Sequence, residues 1–235
     1  MNKDLLHKQF EIERFKALRF IGLYICAALI GFISISAGSH VKFRDIGEIF
    51  SQEICDTSVL FMILPFVAWF VGTDFSNRTI HNELKTGFTR FSVIFTRFIT
   101  TFTIVAALHI MGNVMCITGF SLRKSFDMSI FTFRNLAWTL VVLLQLAAIV
   151  SFIIFIVFAV KNAAGAMGGT VLFSIVMLNI LRNFLSDKDF FKLSCFSLAQ
   201  TSDTKTLFLS GVFAVLTIAA MLALTHWIFR RTEVR

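Results

Sequence analysis

Residues 135–160 read NLAWTLVVLLQLAAIVSFIIFIVFAV, a run of 26 residues without Asp, Glu, Lys or Arg. An α-helix rises about 1.5 Å per residue, so about 20 apolar residues match a hydrocarbon core of about 30 Å. The run is therefore long enough to cross a membrane as one helix. Five more uncharged intervals, rich in Phe, Leu, Ile, Val and Ala, are residues 20–37, 57–73, 98–122, 162–181 and 206–229.

Six such intervals predict an all-α polytopic membrane protein with six transmembrane helices. They account for 130 of the 235 residues, so residues 1–235 are expected to form a single transmembrane domain without a separate enzyme domain. The single proline, Pro65, agrees with a helical body, since backbone groups in lipid need partners within the protein. A transmembrane barrel is not expected, because its strands would alternate in polarity.

The basic residues indicate how the spans are oriented. Six spans put both termini on one side, and that side carries 13 of the 22 Lys and Arg residues. Cytoplasmic loops are enriched in Lys and Arg, so both termini are expected in the cytoplasm of a cell-membrane protein. The net charge of +8 does not favour nucleic acid binding, because the cations are scattered over short loops and form no basic stripe.

Polar side chains inside the predicted spans are candidates for a transport path or for bonds between helices. They are His109, Asn113, Gln145 and Asn179, with His226 near the end of the last span. Interhelical hydrogen bonding is the commoner use of such groups. No carboxylate or lysine lies away from the span ends to relay protons.

The sequence contains no P-loop and no His-Glu-x-x-His motif, so no catalytic, metal or cofactor site is expected in this chain. The cysteines Cys26, Cys55, Cys116 and Cys195 show no C-x-x-C spacing, which gives metal and redox chemistry no support. Cys55 and Cys195 both fall near the predicted outer face. The sequence leaves open whether they form a disulfide.

The longest polar stretch on the predicted inner side follows the second span and reads GTDFSNRTIHNELKTGFTR, residues 72–90. Asp74 or Ser76 can cap a short helix there, and Gly87 can end it. Ile80 and Leu84 share one face of that helix. Two interpretations fit: a short helix on the membrane surface or in a groove of a soluble partner, and a solvated connector whose apolar residues touch lipid headgroups.

At this segment the chain resembles the permease subunits of type-2 ATP-binding-cassette (ABC) exporters. In that family the second span ends in Gly, followed by an acidic residue, a polar residue and Thr, a helix, a Gly-x-Ser/Thr-Arg turn and a basic residue that opens the third span. The matching positions are Gly72, Asp74, Arg78 with Thr79, residues 87–90, and Arg97. The family usually has Glu at the position of Asp74 and Gly at that of Arg78.

The resemblance implies a coupling helix in residues 74–90 that docks on a separate ATPase subunit. The coupling residues would be Asp74, Arg78, Thr79, Ile80, Leu84, Lys85 and Arg90. The resemblance also implies an elbow helix in residues 1–19 and a second permease, identical or a sister chain. For residues 182–205 it implies short re-entrant helices, and a surface helix is the alternative. ATP and Mg²⁺ would be bound by the partner, so this chain would hold no cofactor and would not be an enzyme.

The fifth span opens with small residues. Ala164 with Gly168 and Gly165 with Gly169 are each four positions apart, a spacing that lets helices approach closely. The sequence leaves open whether this contact lies within one subunit or between two. In the family that the chain resembles, the fifth span helps to form the permease dimer interface.

The implied function is ATP-driven export by alternating access. Thirty Phe residues and no large outer domain favour amphipathic peptides or other hydrophobic substrates. The small size is similar to that of permeases that export peptide toxins and bacteriocins or protect against them. The alternative is a non-transporting immunity or sensor component that binds a peptide or a partner protein. A membrane-embedded enzyme ranks third, because no catalytic constellation is present.

Overall fold

The computed structural model describes residues 3–40, 47, 50, 53–122, 132–185, 188–198 and 204–231. About 90% of the described residues are helical, and they include no strand. This confirms the all-α prediction. Six of the described helices are long and apolar enough to cross a membrane, which makes the chain a multi-pass membrane protein.

Ten α-helices, one π-helix and one 3₁₀ turn make up the described part of the chain. In chain order they are α1 (Lys3–Arg19), α2 (Ile21–His40), α3 (Ser58–Ser76), α4 (Thr79–Lys85), α5 (Arg90–Ser121), α6 (Phe133–Val160), α7 (Ala163–Phe173), the π-helix (Ser174–Leu181), α8 (Arg182–Leu185), α9 (Asp189–Lys192), the 3₁₀ turn (Cys195–Ser197) and α10 (Thr204–Arg231). The six spans are α2, α3, α5, α6, the continuous segment Ala163–Leu185, and α10.

The third span starts earlier than its uncharged interval suggests. The interval begins at residue 98, whereas α5 begins at Arg90, so Arg97 lies about two turns inside the helix. The Thr89 side chain caps α5 by accepting a hydrogen bond of 3.1 Å from the Ser92 amide. Counting charges misplaced this boundary because Arg97 is buried within the protein and does not face lipid.

The central helix of the bundle is α6, whose residues from Gln145 to Ile154 are almost all buried. It packs along α10 and also contacts α5, α3 and α7. The remaining principal contacts pair α2 with α5 and α3 with α7. Both α2 and α10 turn many large apolar side chains outward, as expected for helices whose outer face meets lipid.

Glycines allow α2 and α5 to touch along their backbones. A Cβ atom at Gly38 would lie 2.0 Å from the carbonyl oxygen of Cys116, and one at Gly119 would lie 2.4 Å from the carbonyl oxygen of Ile35. Any side chain at either position would push the two helices apart. Close backbone contact of this kind is a common way for helices to associate in membranes.

The small residues of the fifth span are used partly within the subunit. A Cβ atom at Gly165 would lie 2.6 Å from Cγ1 of Val160, and one at Gly169 would lie 3.1 Å from Cγ2 of Ile156, so this pair faces α6. At Gly168 an added Cβ would meet nothing within 4 Å. The contact of the Gly165 and Gly169 pair therefore lies within one subunit.

The segment before α10 packs into the bundle, as its apolar composition predicts. Phe191, Cys195 and Leu198 are buried there. All four cysteines of the chain are buried and none forms a disulfide, so Cys55 and Cys195 are not joined. Burial raises the pKa of the Cys195 thiol to about 12, which keeps it protonated at neutral pH.

Candidate functional site

A buried group of ionic and polar side chains lies where α1, α3, α4 and α5 meet. It is centred on Arg97, whose side chain has no exposed surface. Fully buried arginines are rare and need partners for their charge. The group is called the Arg97 cluster below, and its members are Gln9, Glu13, Lys16, Asp74, Glu83, Ser92 and Arg97.

Three carboxylates from three different helices share the Arg97 guanidinium. Its Nη2 lies 2.6 Å from Oε1 of Glu83 and 3.0 Å from Oδ2 of Asp74, and its Nε lies 3.2 Å from the same Asp74 oxygen. Its Nη1 lies 3.2 Å from Oε1 of Glu13. Arginine suits this position because its planar group offers several donors in fixed directions.

The N-terminal helix supplies the second cation. Lys16 Nζ lies 2.9 Å from Oε1 of Glu13 and 2.7 Å from Oδ1 of Asp74. Each of these two carboxylates therefore bridges Lys16 and Arg97. Through them α1 is tied both to the end of the second span and to the third span.

Neutral groups complete the Arg97 cluster. Gln9 Nε2 donates a hydrogen bond of 3.4 Å to Oε2 of Glu83. The hydroxyl of Ser92 donates to Oε1 of Gln9. Gln9 thus connects α1 to α4 and to the first turn of α5.

The polarity of α1 is inverted relative to a helix of a soluble protein. Gln9, Glu13 and Ala17 are buried at intervals of four residues, so its protein-facing stripe is largely polar. Large apolar side chains lie on the outside, namely Ile12 (45% exposed), Phe15 (55%) and Leu18 (58%). The weak apolar periodicity of residues 1–19 follows from this arrangement, since the partners on the inward side are charged.

The Arg97 cluster contains one more negative than positive group when all are ionised. Lys16 and Arg97 face the carboxylates of Glu13, Asp74 and Glu83. Burial raises the pKa of Glu13, and the attraction of Arg97 and Lys16 only partly offsets this. Oε2 of Glu13 has no hydrogen-bond partner, so a proton can be held there while Oε1 keeps its contacts.

The structure shows which residues of α4 face the bundle and which face outward. Ile80 is 1% exposed and belongs to the core of the bundle, and Leu84 is partly buried against that core. These two residues therefore hold α4 to the spans. Thr79, the first residue of the helix, is half-buried. The exposed residues of α4 and its N-cap are Arg78, Asn82 and Lys85.

The expected N-cap of the short helix is wrong, whereas its expected end is confirmed. Asp74 and Ser76 both belong to α3, and the helix starts after Arg78, which adopts a left-handed conformation with φ 56°. Ser76 instead accepts a hydrogen bond of 3.3 Å at its Oγ from the amide of Ala163. Gly87 follows the helix with φ 96°, the backbone conformation that favours glycine after a C-cap.

Arg90 contacts the end of the last span. Its Nη1 donates hydrogen bonds to the carbonyl oxygens of Phe229, at 3.1 Å, and Arg230. Carbonyls in the last turn of a helix lack partners within that helix and favour a nearby cation. Arg90 therefore links the start of α5 to the end of α10.

Two of the polar residues inside the spans hold neighbouring turns. His109 Nε2 donates a hydrogen bond of 3.2 Å to the carbonyl of Ile54, and Gln145 Nε2 donates one of 3.3 Å to that of Ser194. For these two residues the predicted bond between spans is instead a bond from a span to a neighbouring turn. Asn113 is half-buried, and the side chain of Asn179 lies outside the described residues. The described part of the chain contains no cluster of His, Cys, Asp or Glu that could hold a metal ion.

Sequence reasoning found Asp74 and Arg97 but missed their partners. Gln9, Glu13 and Lys16 follow each other at spacings of four and three residues, so a search for polar helical stripes would have found the inward face of α1. Glu83 carries no comparable signal. No protein-family model matches the chain, and no curated protein matches it either.

Proposed function

We propose that this chain is the transmembrane permease subunit of an ATP-driven exporter of the type-2 ABC class. It lies in the cell membrane with both termini in the cytoplasm. In this proposal α1 is the elbow helix and α4 is the coupling helix. A separate ATPase subunit binds the outward face of α4, and a second permease, identical or a sister chain, completes the transporter. The observation that carries the proposal is the Arg97 cluster, which fixes α4 to three other helices.

The connection between α4 and the second span supports a mechanical role. Only Asn77 and Arg78 separate the two helices, and their amides donate to the carbonyls of Thr73 and Phe75 at 2.8 and 3.1 Å. Because this connection is short and hydrogen-bonded, α4 can move little relative to α3. A displacement of α4 would therefore reach α3 directly and α5 through the ion pair between Glu83 and Arg97.

Contacts of the same segment extend this connection to the fifth and last spans. Ser76 and Gly72 of α3 meet Ala163 at the start of α7, and Arg90 holds the last carbonyls of α10. The ends of four of the six spans thus lie within one bonded network around α4. Closure of an ATPase dimer would shift the population of the bundle between inward-open and outward-open packings.

The chemistry in this proposal is divided between subunits. ATP and Mg²⁺ belong to the partner, while Arg78, Asn82 and Lys85 offer it a polar and basic surface. For substrate we propose amphipathic peptides or other hydrophobic molecules, because the sequence is rich in Phe and the segments outside the spans are short. Stimulation of the ATPase by such peptides, but not by simple sugars, is the expected result. A response to sugars alone would contradict this choice.

Co-purification tests the assignment. The tagged chain, isolated from its native host in mild detergent, is expected to carry a nucleotide-hydrolysing subunit. The double variant Asn82→Trp with Lys85→Glu should lose that subunit, because it changes the exposed face of α4 only. Lys161→Glu is the matched control, since it makes the same charge change in the turn between α6 and α7 on the same side of the membrane.

Three results would count against the proposal. A wild-type preparation without any ATPase would overturn it and favour the immunity or sensor function. Full retention of the ATPase by the double variant would show that the outward face of α4 is not the binding surface. Loss of the ATPase from the Lys161→Glu control as well would point to a general charge effect and count against α4.

A further inference from the structure

An apolar groove lies between α1, α2 and α5. Its volume is about 470 Å³, within the range of about 300–1,000 Å³ that is typical of sites for small molecules. The α1 wall includes Phe10 and Leu18, and the α2 wall includes Leu23 and Ala27. The groove is separate from the outward face of α4 and is not used in the proposed export mechanism.

The groove has the depth of one membrane leaflet. Along α5 its lining runs from Ile99 to Leu108, and the nine steps between them rise about 14 Å at about 1.5 Å per residue. This is about half of a hydrocarbon core of about 30 Å. The groove starts just beyond Arg97, at the end of α5 where α1 lies, so it extends from the membrane surface towards the middle of the bilayer.

One cation lines the groove on its α1 side. Arg14 is exposed, and no acidic side chain of the described residues pairs with it. The neighbouring cations of α1 are engaged elsewhere. Lys16 forms ion pairs within the Arg97 cluster, and Arg19 lies 4.1 Å over the ring of Phe15.

The hydroxyl groups of the lining are mostly committed to the backbone. Tyr24 donates a hydrogen bond of 2.7 Å to the carbonyl of Leu18, which also fixes the angle between α1 and α2. Thr103 donates one of 2.9 Å to the carbonyl of Ile99. A bound peptide would need partners for its own amides and carbonyls, which this lining does not supply. A hydrocarbon chain needs none.

We propose that this groove binds an anionic glycerophospholipid from the leaflet on the α1 side. One acyl chain lies along α5 between Ile99 and Leu108, and the phosphate-bearing headgroup pairs with Arg14. The apolar lining and the depth of the groove favour an acyl chain, and the unpaired guanidinium of Arg14 favours a negatively charged headgroup. This inference does not depend on the ATPase partner.

Lipid retention tests the inference. The purified full chain is reconstituted in nanodiscs that contain equal amounts of phosphatidylglycerol and phosphatidylcholine with identical acyl chains, and the lipids that stay bound are identified by native mass spectrometry. The wild type should retain phosphatidylglycerol about fivefold over phosphatidylcholine, as expected for one basic side chain at a membrane surface. Arg14→Gln should abolish this preference.

Matched variants separate the groove from general charge attraction. Lys8→Gln removes the same charge from the same helix outside the groove and should keep the preference. Ala107→Trp fills the groove and is expected to reduce retention of both lipids. If that variant does not fold, Ala27→Phe fills the groove from the α2 wall and replaces it. Equal retention of the two lipids by the wild type, an equal loss in both Gln variants, or unchanged retention in the folded filled variant would each overturn the inference.

Discussion

Arg97 Nη2 lies 2.6 Å from Oε1 of Glu83, and this ion pair joins the third span to α4 across fourteen positions of sequence. The Arg97 side chain is fully buried and that of Glu83 is 9% exposed. Removing one partner of a buried ion pair costs about 3–5 kcal/mol, since it leaves the other charge without compensation. The short helix is therefore a fixed part of the bundle.

Loss of the central cation should destabilise the whole cluster. Arg97→Met leaves three buried carboxylates around an uncharged side chain, and we expect it to lower the free energy of unfolding by about 3–5 kcal/mol. Arg97→Lys keeps the charge, but an ammonium group cannot contact all three carboxylates at once. The stability of this variant should therefore lie between those of the wild type and Arg97→Met. Thermal unfolding in detergent, followed by tryptophan fluorescence, measures both. A Met variant as stable as the wild type would contradict the role of the cluster.

Removing the charge of Glu83 should loosen α4 without unfolding the spans. Glu83→Gln weakens a hydrogen bond between charged groups, worth about 1.5–3 kcal/mol, so amide hydrogen exchange in residues 79–85 should become at least about tenfold faster. Glu11→Gln is the control, because Glu11 is exposed and its ion pair among the described residues is with His7 of the same helix, at 3.5 Å. Under the proposed function, Glu83→Gln keeps the ATPase bound but transports less substrate per ATP. Unchanged exchange in Glu83→Gln would show that this ion pair does not hold α4.

Stability should rise as the pH falls from neutral towards 4.5. Burial raises the pKa of Glu13 in the folded chain above 4.5, so in that window the folded chain binds more protons than the unfolded chain, and stability falls as pH rises. Glu53 adds to this trend, because burial and the charge of Asp56 raise its pKa. Melting temperatures between pH 5 and 7.5 measure the effect. Glu13→Gln and Glu53→Gln should each flatten the slope, whereas a slope of the opposite sign would refute this account.

The backbone contact between α2 and α5 should not tolerate a methyl group. Gly38→Ala places its Cβ 2.0 Å from the carbonyl oxygen of Cys116, so α2 must move, at a cost of about 1–3 kcal/mol. Gly31→Ala on the same helix is the control, because a Cβ there meets nothing within 4 Å. It should be neutral or stabilise by up to about 1 kcal/mol through its higher helix propensity. Equal melting temperatures of the two variants would argue against this contact.

The spans were predictable because each is marked by composition alone. The runs at 135–160 and 206–229 differ from Phe133–Val160 and Thr204–Arg231 by at most two residues at either end. The helix of the third span begins at Arg90, eight residues before the charge-free interval that starts at residue 98, because the buried Arg97 interrupts that interval. A charge-free interval indicates where lipid can surround a helix. It cannot show that the helix continues through a charged turn that is buried within the protein.

The candidate site was only half visible in the sequence. Asp74 and Arg97 stood out through their resemblance to a family pattern, and Gly87 through its turn. Glu13 and Glu83 did not stand out, because each forms its ion pair with Arg97, which lies on another helix. The orientation of α4 was not visible either: Ile80 and Leu84 form an apolar pair whether they face a partner protein or the core of the bundle, and in the structure they pack on the core.

The sequence by itself determined that this chain crosses a membrane six times, because transfer of a helix into hydrocarbon depends on its length and its apolar side chains. Only the tertiary structure decided which faces meet. Side chains that face lipid are as apolar as those that face another helix, so periodicity cannot separate the two. The pairing of Gly38 with Cys116, and of Arg97 with three carboxylates from three helices, depends on close approach between distant segments.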